Sequence, residues 1–275
     1  MGTLYIVATP IGNLEDVTVR ALRVLREATC ILAEDTRRTR VLLARHGIPG
    51  RPRSLHAHNE QARVASVLAA LEGEGTAALV SDAGTPLVSD PGERLVAEVA
   101  AAGHTVVPIP GASAVLSALV TSGLPATPFL FVGFLPRKAG ERRQRLAALA
   151  ERPETLVFYE SPKRVAATLA ELHELWGDRS ACLARELTKL HEEVVRAPLG
   201  ELARRFSEGT RGEVTLVVAG ADPVPALRGE ALQREVREAI ERGESPREVA
   251  AALAPRAALP KREIYSLAQA ERDTK

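Results

Sequence analysis

The sequence is short of cysteine, of aromatic residues and of net charge, and these shortages exclude several classes of protein. Its 275 residues include two cysteines, Cys30 and Cys182, which lie far apart in the chain. A disulfide framework and a cysteine-based zinc module are therefore excluded, and we expect a protein of the reducing cytoplasm. Lysine and arginine number 36 against 35 acidic residues, so any basic surface for nucleic acid has to be local.

Membrane and leader segments are also missing from the sequence pattern. Residues 1–6 contain no basic stretch and lead directly into an apolar segment, which is not typical of a signal peptide. The longest apolar stretch, 106–120, is interrupted by Pro108, Pro110 and Gly111, so it is unsuited to crossing a bilayer. We expect a cytoplasmic protein without a membrane partner.

Two short patterns resemble known ligand sites, but their context argues against both. Residues 73–78 match the dinucleotide-binding glycine pattern letter for letter, yet they precede a predicted strand instead of following one, so they indicate a turn. His56 and His58 stand at strand spacing with no third carboxylate or cysteine ligand beside them. We therefore predict no metal site.

The first half of the chain alternates between strand-like and helix-like patterns. Such alternation is typical of an α/β fold with a mostly parallel sheet and helices on its faces. The overall content, 45% hydrophobic and 26% charged, suits a globular protein with two domains. The predicted strands are 4–8, 31–33, 77–81 and 105–108, and the predicted helices are 14–28, 36–46, 60–71, 91–102 and 112–122.

A linker is predicted at 123–128, where glycine and prolines cluster, and a second α/β domain follows it. Its predicted strands are 129–134, 156–159, 181–185, 193–196 and 214–218, and its predicted helices are 141–150, 164–175 and 200–206. Several strands follow one another without a helix, so this sheet is predicted to be mixed. The predicted domains are 1–122 and 129–222, with a helical tail over 223–275.

The tail follows a second predicted linker at 221–225. It is predicted to form two short helices, 245–254 and 261–272, the first of which begins with a capping box at Ser245 and Glu248. This pair could be a helix-turn-helix-like module that contacts nucleic acid, or it could pack on a dimer partner. The sequence leaves both alternatives open.

Four loops follow predicted strands of the first half, at the edge where open α/β sheets bind ligands. They are residues 8–13, 34–39, 81–92 and 108–114. The last two are longer than usual connections and contain repeated prolines and glycines, which favours a binding role. Ordinary turns use the same residue types, so that alternative stays open on composition alone.

Together with residues 159–162 (YESP) and 185–189 (RELTK), these loops resemble the bacterial small-subunit ribosomal RNA methyltransferases I, a branch of the tetrapyrrole methylase superfamily. The resemblance runs in order from about residue 3 to 220. It implies a two-domain class III methyltransferase, usually dimeric, with S-adenosylmethionine folded into the cleft between the domains. The implied reaction is methylation of a ribose 2′-hydroxyl on a cytidine in the decoding region of 16S ribosomal RNA, within the 30S subunit.

The resemblance also implies a set of cofactor-binding residues, matched motif by motif. They are Pro10, Asp82, Ala83, Gly84, Thr85, Ser113, Ala114, Tyr159, Leu187 and Val214. One departure concerns the first loop, which reads TPIGN where tetrapyrrole-modifying relatives carry a G-x-G-x-G type sequence. This difference disfavours a macrocyclic substrate and favours the RNA branch.

Methyl transfer to a ribose hydroxyl gains from a nearby proton acceptor, because the hydroxyl is a weak nucleophile. The candidates from the sequence are Glu34 and Asp35 after the second strand, Glu160 at the end of strand 156–159, and Lys189. Lys189 would have to be buried and neutral to act in this way. As an alternative, Glu34 and Asp35 are simply ion-paired with the neighbouring arginines.

Two local clusters of basic residues could hold the RNA backbone. One comprises Arg37, Arg38 and Arg40, and the other comprises Arg137, Lys138, Arg142, Arg143 and Arg145. A solvated helix face is the usual alternative for such clusters. Two other functions stay open from the residues alone: a tetrapyrrole C-methyltransferase, and a non-catalytic RNA-binding factor in ribosome assembly.

Overall fold

The computed structural model describes residues 1–56, 59–222 and 226–273. The chain forms two compact units, residues 1–221 and 222–275. The first unit contains two separate five-stranded sheets, and the second is helical. His58 and part of the predicted linker 221–225 lie outside the described residues.

The first sheet contains β1 (Thr3–Val7), β2 (Cys30–Ala33), β3 (Arg53–Ser54), β4 (Thr76–Val80) and β5 (Thr105–Ile109). The strand order is β3-β2-β4-β1-β5, and every pairing is parallel. β2 is buried along its whole length, which is why it appears in the sequence as an uninterrupted apolar run. Prediction missed β3, because two residues give no pattern to recognise.

Five helices accompany this sheet: α1 (Val19–Glu27), α2 (Thr36–Arg45), α3 (Glu60–Leu71), α4 (Glu93–Ala101) and α5 (Ala114–Thr121). The predicted helix over 14–28 is wrong at its start. Residues 14–16 form a separate 3₁₀ turn, and α1 begins after Thr18, whose side chain accepts a hydrogen bond from the Ala21 N–H. The glycine pattern at 73–78 forms a turn into β4, as predicted.

The second sheet contains β6 (Phe129–Phe134), β7 (Thr155–Glu160), β8 (Ser180–Arg185), β9 (Glu193–Pro198) and β10 (Val214–Val218). Its order is β6-β7-β10-β8-β9. Only the β6–β7 pairing is parallel, so the prediction of a mixed sheet is confirmed. The helices of this half are α6 (Ala139–Leu149), α7 (Val165–Trp176) and α8 (Leu199–Arg205).

Helix α5 joins the two halves of the first unit. It follows β5 in the chain, yet its buried side chains Val115, Ala118 and Leu119 share a core with Val157 of β7 and Val217 of β10. The opposite face of the second sheet is covered by a separate core that includes α7 and α8. The packing of α5 therefore attaches the carboxyl-terminal edge of the first sheet to the second sheet.

The second unit contains α9 (Gly229–Glu241), α10 (Pro246–Leu253) and α11 (Lys261–Asp273). The capping box is confirmed, because Ser245 and Glu248 exchange backbone and side-chain hydrogen bonds at the start of α10. The prediction of two helices is incomplete, because α9 buries Leu232 and Val236 in the same core. Across the described residues, no helix is long and apolar enough to span a membrane.

We expect Leu119→Ala to destabilise the first unit by about 2–5 kcal/mol, because the side chain is 2% exposed and its removal leaves a cavity between α5 and the second sheet. Urea unfolding measures the effect. Leu190→Ala is the control, because that leucine is 92% exposed. Equal stability of both variants would contradict the role given to α5.

Candidate functional site

The loops after β1 and β4 are tied together at the carboxyl edge of the first sheet. The Thr9 N–H donates to the Gly84 carbonyl at 2.8 Å, and the Gly84 N–H donates to the Thr9 carbonyl at 3.0 Å. Gly84 has φ +81°, a left-handed conformation that glycine adopts without strain. The first and third predicted loops are therefore fixed to each other by this pair of backbone hydrogen bonds.

The loop after β2 is attached to the third loop through Asp82. Its Oδ1 accepts a hydrogen bond from the Asp35 N–H at 2.7 Å, and its Oδ2 lies 3.8 Å from Nε of Arg38. The side chain of Asp35 in turn caps α2 by accepting a hydrogen bond from the Arg37 N–H. Asp82 thus fixes the start of α2 relative to the third loop.

A close backbone approach connects the first loop to the second half. A Cβ at Gly12 would lie 2.4 Å from Cγ of Lys189 and 3.0 Å from the Leu187 carbonyl oxygen, so only glycine fits there. The next residue, Asn13, donates its N–H to Oγ1 of Thr188 at 3.0 Å. The loop after β8 therefore closes one side of the site.

Two adjoining cavities, of about 350 and 390 Å³, lie between these loops and the second sheet. Each has a volume typical of a small-molecule site. The first lies beside the first loop and α2, and the second lies between the third loop, the start of α5 and the ends of β6 and β7. Both are lined by Ile11, Arg38, Asp82, Ala83 and Glu213.

Most of the predicted cofactor-binding residues line these cavities. Pro10 lines the first, Asp82 and Ala83 line both, and Thr85, Ser113, Ala114, Tyr159 and Val214 line the second. Gly84 and Leu187 line neither, so direct contact is not supported for them. Gly84 joins two loops instead, and Leu187 is buried in the core with Ile11 and α5.

Three of the four predicted proton acceptors are engaged elsewhere. The hydrogen bond from the Arg37 side chain lowers the pKa of Asp35 to about 2, so this carboxylate is a poor base. Glu160 is fully buried, and its oxygens accept hydrogen bonds from the Ser161 N–H at 2.8 Å and the Thr168 hydroxyl at 2.7 Å. Both residues stabilise local structure.

Lys189 does not meet the condition of being neutral, which a role as proton acceptor would require. Its Nζ lies 2.8 Å from Oε1 of Glu186 and 3.0 Å from Oε2 of Glu213. Burial opposes the charge, but these hydrogen bonds outweigh it, and the pKa of Lys189 is raised. The ammonium group therefore stays charged at neutral pH.

Glu34 and Asp90 are the carboxylates whose setting in the second cavity favours proton uptake. Burial, followed by the charge of Asp82, raises the pKa of Glu34. Burial and the neighbouring Glu34 raise the pKa of Asp90 to about 6, against the opposing effect of a hydrogen bond with Ser81. Sequence reasoning missed Asp90, although it lies in the long third loop, because an aspartate before Pro-Gly is also an ordinary turn residue.

The structure corrects the predicted RNA-binding residues. Arg142 is buried, and its guanidinium makes two hydrogen bonds to Glu171, of 2.7 and 2.5 Å. Arg142 is therefore a link between α6 and α7, and it is not available to a phosphate. Arg143 pairs similarly with Glu174. Sequence reasoning could not see this, because it does not show which helix faces α6.

Of the other predicted basic residues, three have acidic partners: Arg37 pairs with Asp35, Lys138 pairs with Glu141, and Arg38 pairs with Asp82. Arg40, Arg137 and Arg145 are exposed, with no acidic partner in the described part of the chain. Arg38 lines both cavities. Over residues 1–56, 59–222 and 226–273, no three histidine, cysteine or acidic side chains are grouped as metal ligands.

Comparison with known proteins agrees with this arrangement. Residues 3–203 match the model of the tetrapyrrole (corrin/porphyrin) methylases. The chain is 44% identical to ribosomal RNA small subunit methyltransferase I of Synechocystis sp. over 271 residues, 97% of each chain. It is 51% identical to the protein of that name from Mesorhizobium japonicum, over 80% of this chain and 76% of the other.

The chain belongs to the ribosomal RNA small subunit methyltransferase I family. The predicted fold class and the prediction of a methyltransferase are therefore confirmed. A solved structure with the same fold is uroporphyrin-III C-methyltransferase of Thermus thermophilus, complexed with S-adenyl homocysteine. It has a TM-score of 0.55 and 23% identity, and the match covers 79% of this chain and 97% of that one.

Proposed function

We propose that this protein transfers a methyl group from S-adenosylmethionine to the ribose 2′-hydroxyl of a cytidine in the decoding region of 16S ribosomal RNA. The main support for the proposal is the pair of adjoining cavities at the carboxyl edge of the first sheet. The relatives of this chain are named ribosomal RNA methyltransferases, which agrees with it. Together the two cavities can hold the cofactor and the target nucleotide side by side, with the methyl group and the ribose meeting in the second cavity.

The residues present suit S-adenosylmethionine, which supplies a methyl group on a positively charged sulfur. Carboxylates of Glu34, Asp82 and Asp90 line the second cavity, and a cation is favoured beside them. Apolar walls come from Ile11, Ala83 and other residues of the same cavity. The complex of the Thermus thermophilus methyltransferase with S-adenyl homocysteine supports this cofactor.

Asp90 is the proton acceptor in this proposal. Its carboxylate would accept the proton of the 2′-hydroxyl as that oxygen takes the methyl group that S-adenosylmethionine supplies when bound, with S-adenosylhomocysteine as the leaving group. A carboxyl with a pKa of about 6 is a stronger base than an ordinary aspartate and is still largely ionised at neutral pH. Glu34 acts through Asp90 as a positioning residue, since its charge helps to raise that pKa.

Phosphate contacts are proposed for Arg38, which lines both cavities, and for the exposed arginines without an acidic partner in the described part of the chain. Arg38, at the junction of the two cavities, lies beside the place proposed for the target nucleotide. Arg40, Arg137 and Arg145 are exposed and can contact the RNA backbone farther out. Since such contacts carry little sequence information, the assembled 30S subunit is the proposed substrate.

The proposed reaction predicts a specific product. Incubation with S-adenosylmethionine labelled in its methyl group and 30S subunits from a strain lacking this activity is expected to place label in 16S RNA as 2′-O-methylcytidine. Nuclease digestion and mass spectrometry of the nucleosides identify the product. Label in a porphyrinoid substrate instead would support a tetrapyrrole methyltransferase, and tight RNA binding without label would support an assembly factor.

The role of Asp90 predicts a pH profile. In the wild type, kcat should rise from pH 5 to 7 and then level off, because Asp90 is protonated below its pKa of about 6 and cannot accept a proton. Asp90→Asn should lower kcat by about 10²–10⁴-fold and remove this rise.

Asp222→Asn, at an exposed position, is the control and should keep the wild-type profile. An Asp90→Asn variant with an unchanged rate and an unchanged profile would assign proton transfer to another group. Calorimetric titration with S-adenosylmethionine separates a loss of chemistry from a loss of cofactor binding.

We propose further that two copies of the chain associate through the outer face of α5. This face carries Leu116, which is 52% exposed, and Val120, which is 73% exposed and lies one turn farther along the helix. Two copies can bury the same apolar strip against each other, as an isologous dimer requires.

Val120→Glu is expected to convert a dimer into a monomer, because it places a charge in the proposed interface. Sedimentation velocity measures the mass. Leu190→Glu, at another exposed leucine, should leave the dimer intact. A dimeric Val120→Glu variant would place the interface elsewhere.

A further inference from the structure

Aromatic side chains are scarce in this chain, and three of them meet at one place. The nine aromatic residues make up 3% of the sequence. Phe131 and Tyr159 have ring centroids 5.0 Å apart in an edge-to-face arrangement, and the centroid of Phe134 lies 5.5 Å from that of Tyr159. Phe134 and Tyr159 both line the second cavity. Because two of these three aromatic side chains line a cavity, core packing alone does not explain why they lie together.

A bulge in β6 places Phe134 on this face. Phe131 pairs with Val157 and Phe134 pairs with Tyr159, so three steps along β6 correspond to two along β7. In a regular strand, residues three apart point to opposite faces of the sheet. The extra residue, with Gly133 at φ +73°, reverses the alternation and brings Phe134 to the cavity side.

The bulge also lies against the third loop. A Cβ at Gly133 would lie 3.4 Å from Oγ of Ser89, the residue before Asp90. Burial, followed by the charge of Asp90, raises the pKa of Tyr159 to about 12, which places that carboxylate near the aromatic group. Phe134 and Tyr159 therefore line the second cavity together with Ser89 and Asp90.

The ring of Phe134 is 56% exposed, although a ring of this size normally loses most of its surface on folding. Tyr159 contacts one side of the ring, and Phe134 lines the second cavity. An exposed aromatic ring on a cavity wall is a suitable surface for stacking a flat, partly polar group. Nucleobases are such groups, and every base has a face that can stack.

We propose that Phe134 is the platform on which the base of the target nucleotide stacks, so that the nucleotide enters the second cavity unstacked from the RNA. This inference rests on the proposed function and specifies how its substrate is held. A base held on this ring would bring the attached ribose into the cavity that Asp90 lines. The ring positions the base and does not read its identity, because stacking tolerates all four bases.

The test compares Phe134→Ala, Phe134→Leu and Phe134→Tyr in the full-length protein. Phe134→Ala is expected to raise KM for 30S subunits about tenfold to a hundredfold, the range that loss of one base-stacking contact gives. The affinity for S-adenosylmethionine, measured by calorimetry, should stay within twofold of wild type. Phe134→Tyr should restore KM, whereas Phe134→Leu, which keeps bulk but has no ring, should not.

A binding assay gives a readout that does not depend on turnover. 30S subunits reconstituted with 16S RNA that carries pyrrolocytidine, a fluorescent cytidine analogue, at the target position report stacking as a change in emission on binding. Wild type and Phe134→Tyr should produce the change, and Phe134→Ala should not. Phe129→Ala, at the start of the same strand and outside the cavity lining, is the matched control and should behave as wild type.

Three outcomes would overturn the inference. An equal loss of cofactor affinity in Phe134→Ala would assign the ring to S-adenosylmethionine. Full activity of Phe134→Leu would show that no ring is needed. An unchanged KM in Phe134→Ala would show that Phe134 does not contact the RNA. Failure of the proposed function is distinguishable, because the wild type itself would then transfer no methyl group to RNA. Thermal unfolding of each variant checks that the fold is retained.

Discussion

The site depends on the burial of one face of α5 against the second sheet. This helix begins directly after the loop that follows β5, so its position is coupled to the carboxyl edge of the first sheet. Val115 and Leu119 belong to the core of β7 and β10, and not to either core of the first sheet. Apolar burial at this one contact therefore brings the loops of the first sheet opposite the ends of β6 and β7. Both cavities exist because of that arrangement, since their walls come from the two sheets.

Within the cavities, local contacts decide what each carboxylate can do. Asp35 is at a helix start beside Arg37 and is held ionised, while Glu160 is occupied by hydrogen bonds from its own half. Asp90 lies in a different environment. Burial and the neighbouring carboxylate of Glu34 are the largest effects on its pKa, and both raise it. Residues of the same type therefore differ in pKa by several units over a short distance, which is how a protein separates structural from reactive acids.

The sequence predicted the features that short segments determine and missed those that depend on contacts between segments. The four loops after the strands were recognisable because glycine and proline mark turns, and most of their predicted cofactor residues line the cavities. Arg142 was mistaken for a phosphate ligand, since its partner Glu171 lies on a different helix and no pattern in the chain joins them. The charge of Lys189 could not be judged from the sequence either, because its partner Glu213 lies in the loop before β10. Phe134 escaped notice for a related reason: regular alternation along β6 places it on the other face, and the bulge that reverses it appears only in the pairing with β7.

The fold alone does not determine which substrate such a protein accepts. The Thermus thermophilus uroporphyrin-III C-methyltransferase has the same architecture, so what differs must lie in the walls of the cavities. Here the first loop reads TPIGN, without the glycine-rich pattern of tetrapyrrole-modifying relatives, and the loop after β8 lies directly against Gly12. A broad planar macrocycle needs an open trough, whereas a single nucleotide needs a narrow pocket with one stacking surface and one proton acceptor. In the proposed reaction, the ring of Phe134 at the bulge is the stacking surface and the half-buried Asp90 is the proton acceptor, and both line the second cavity.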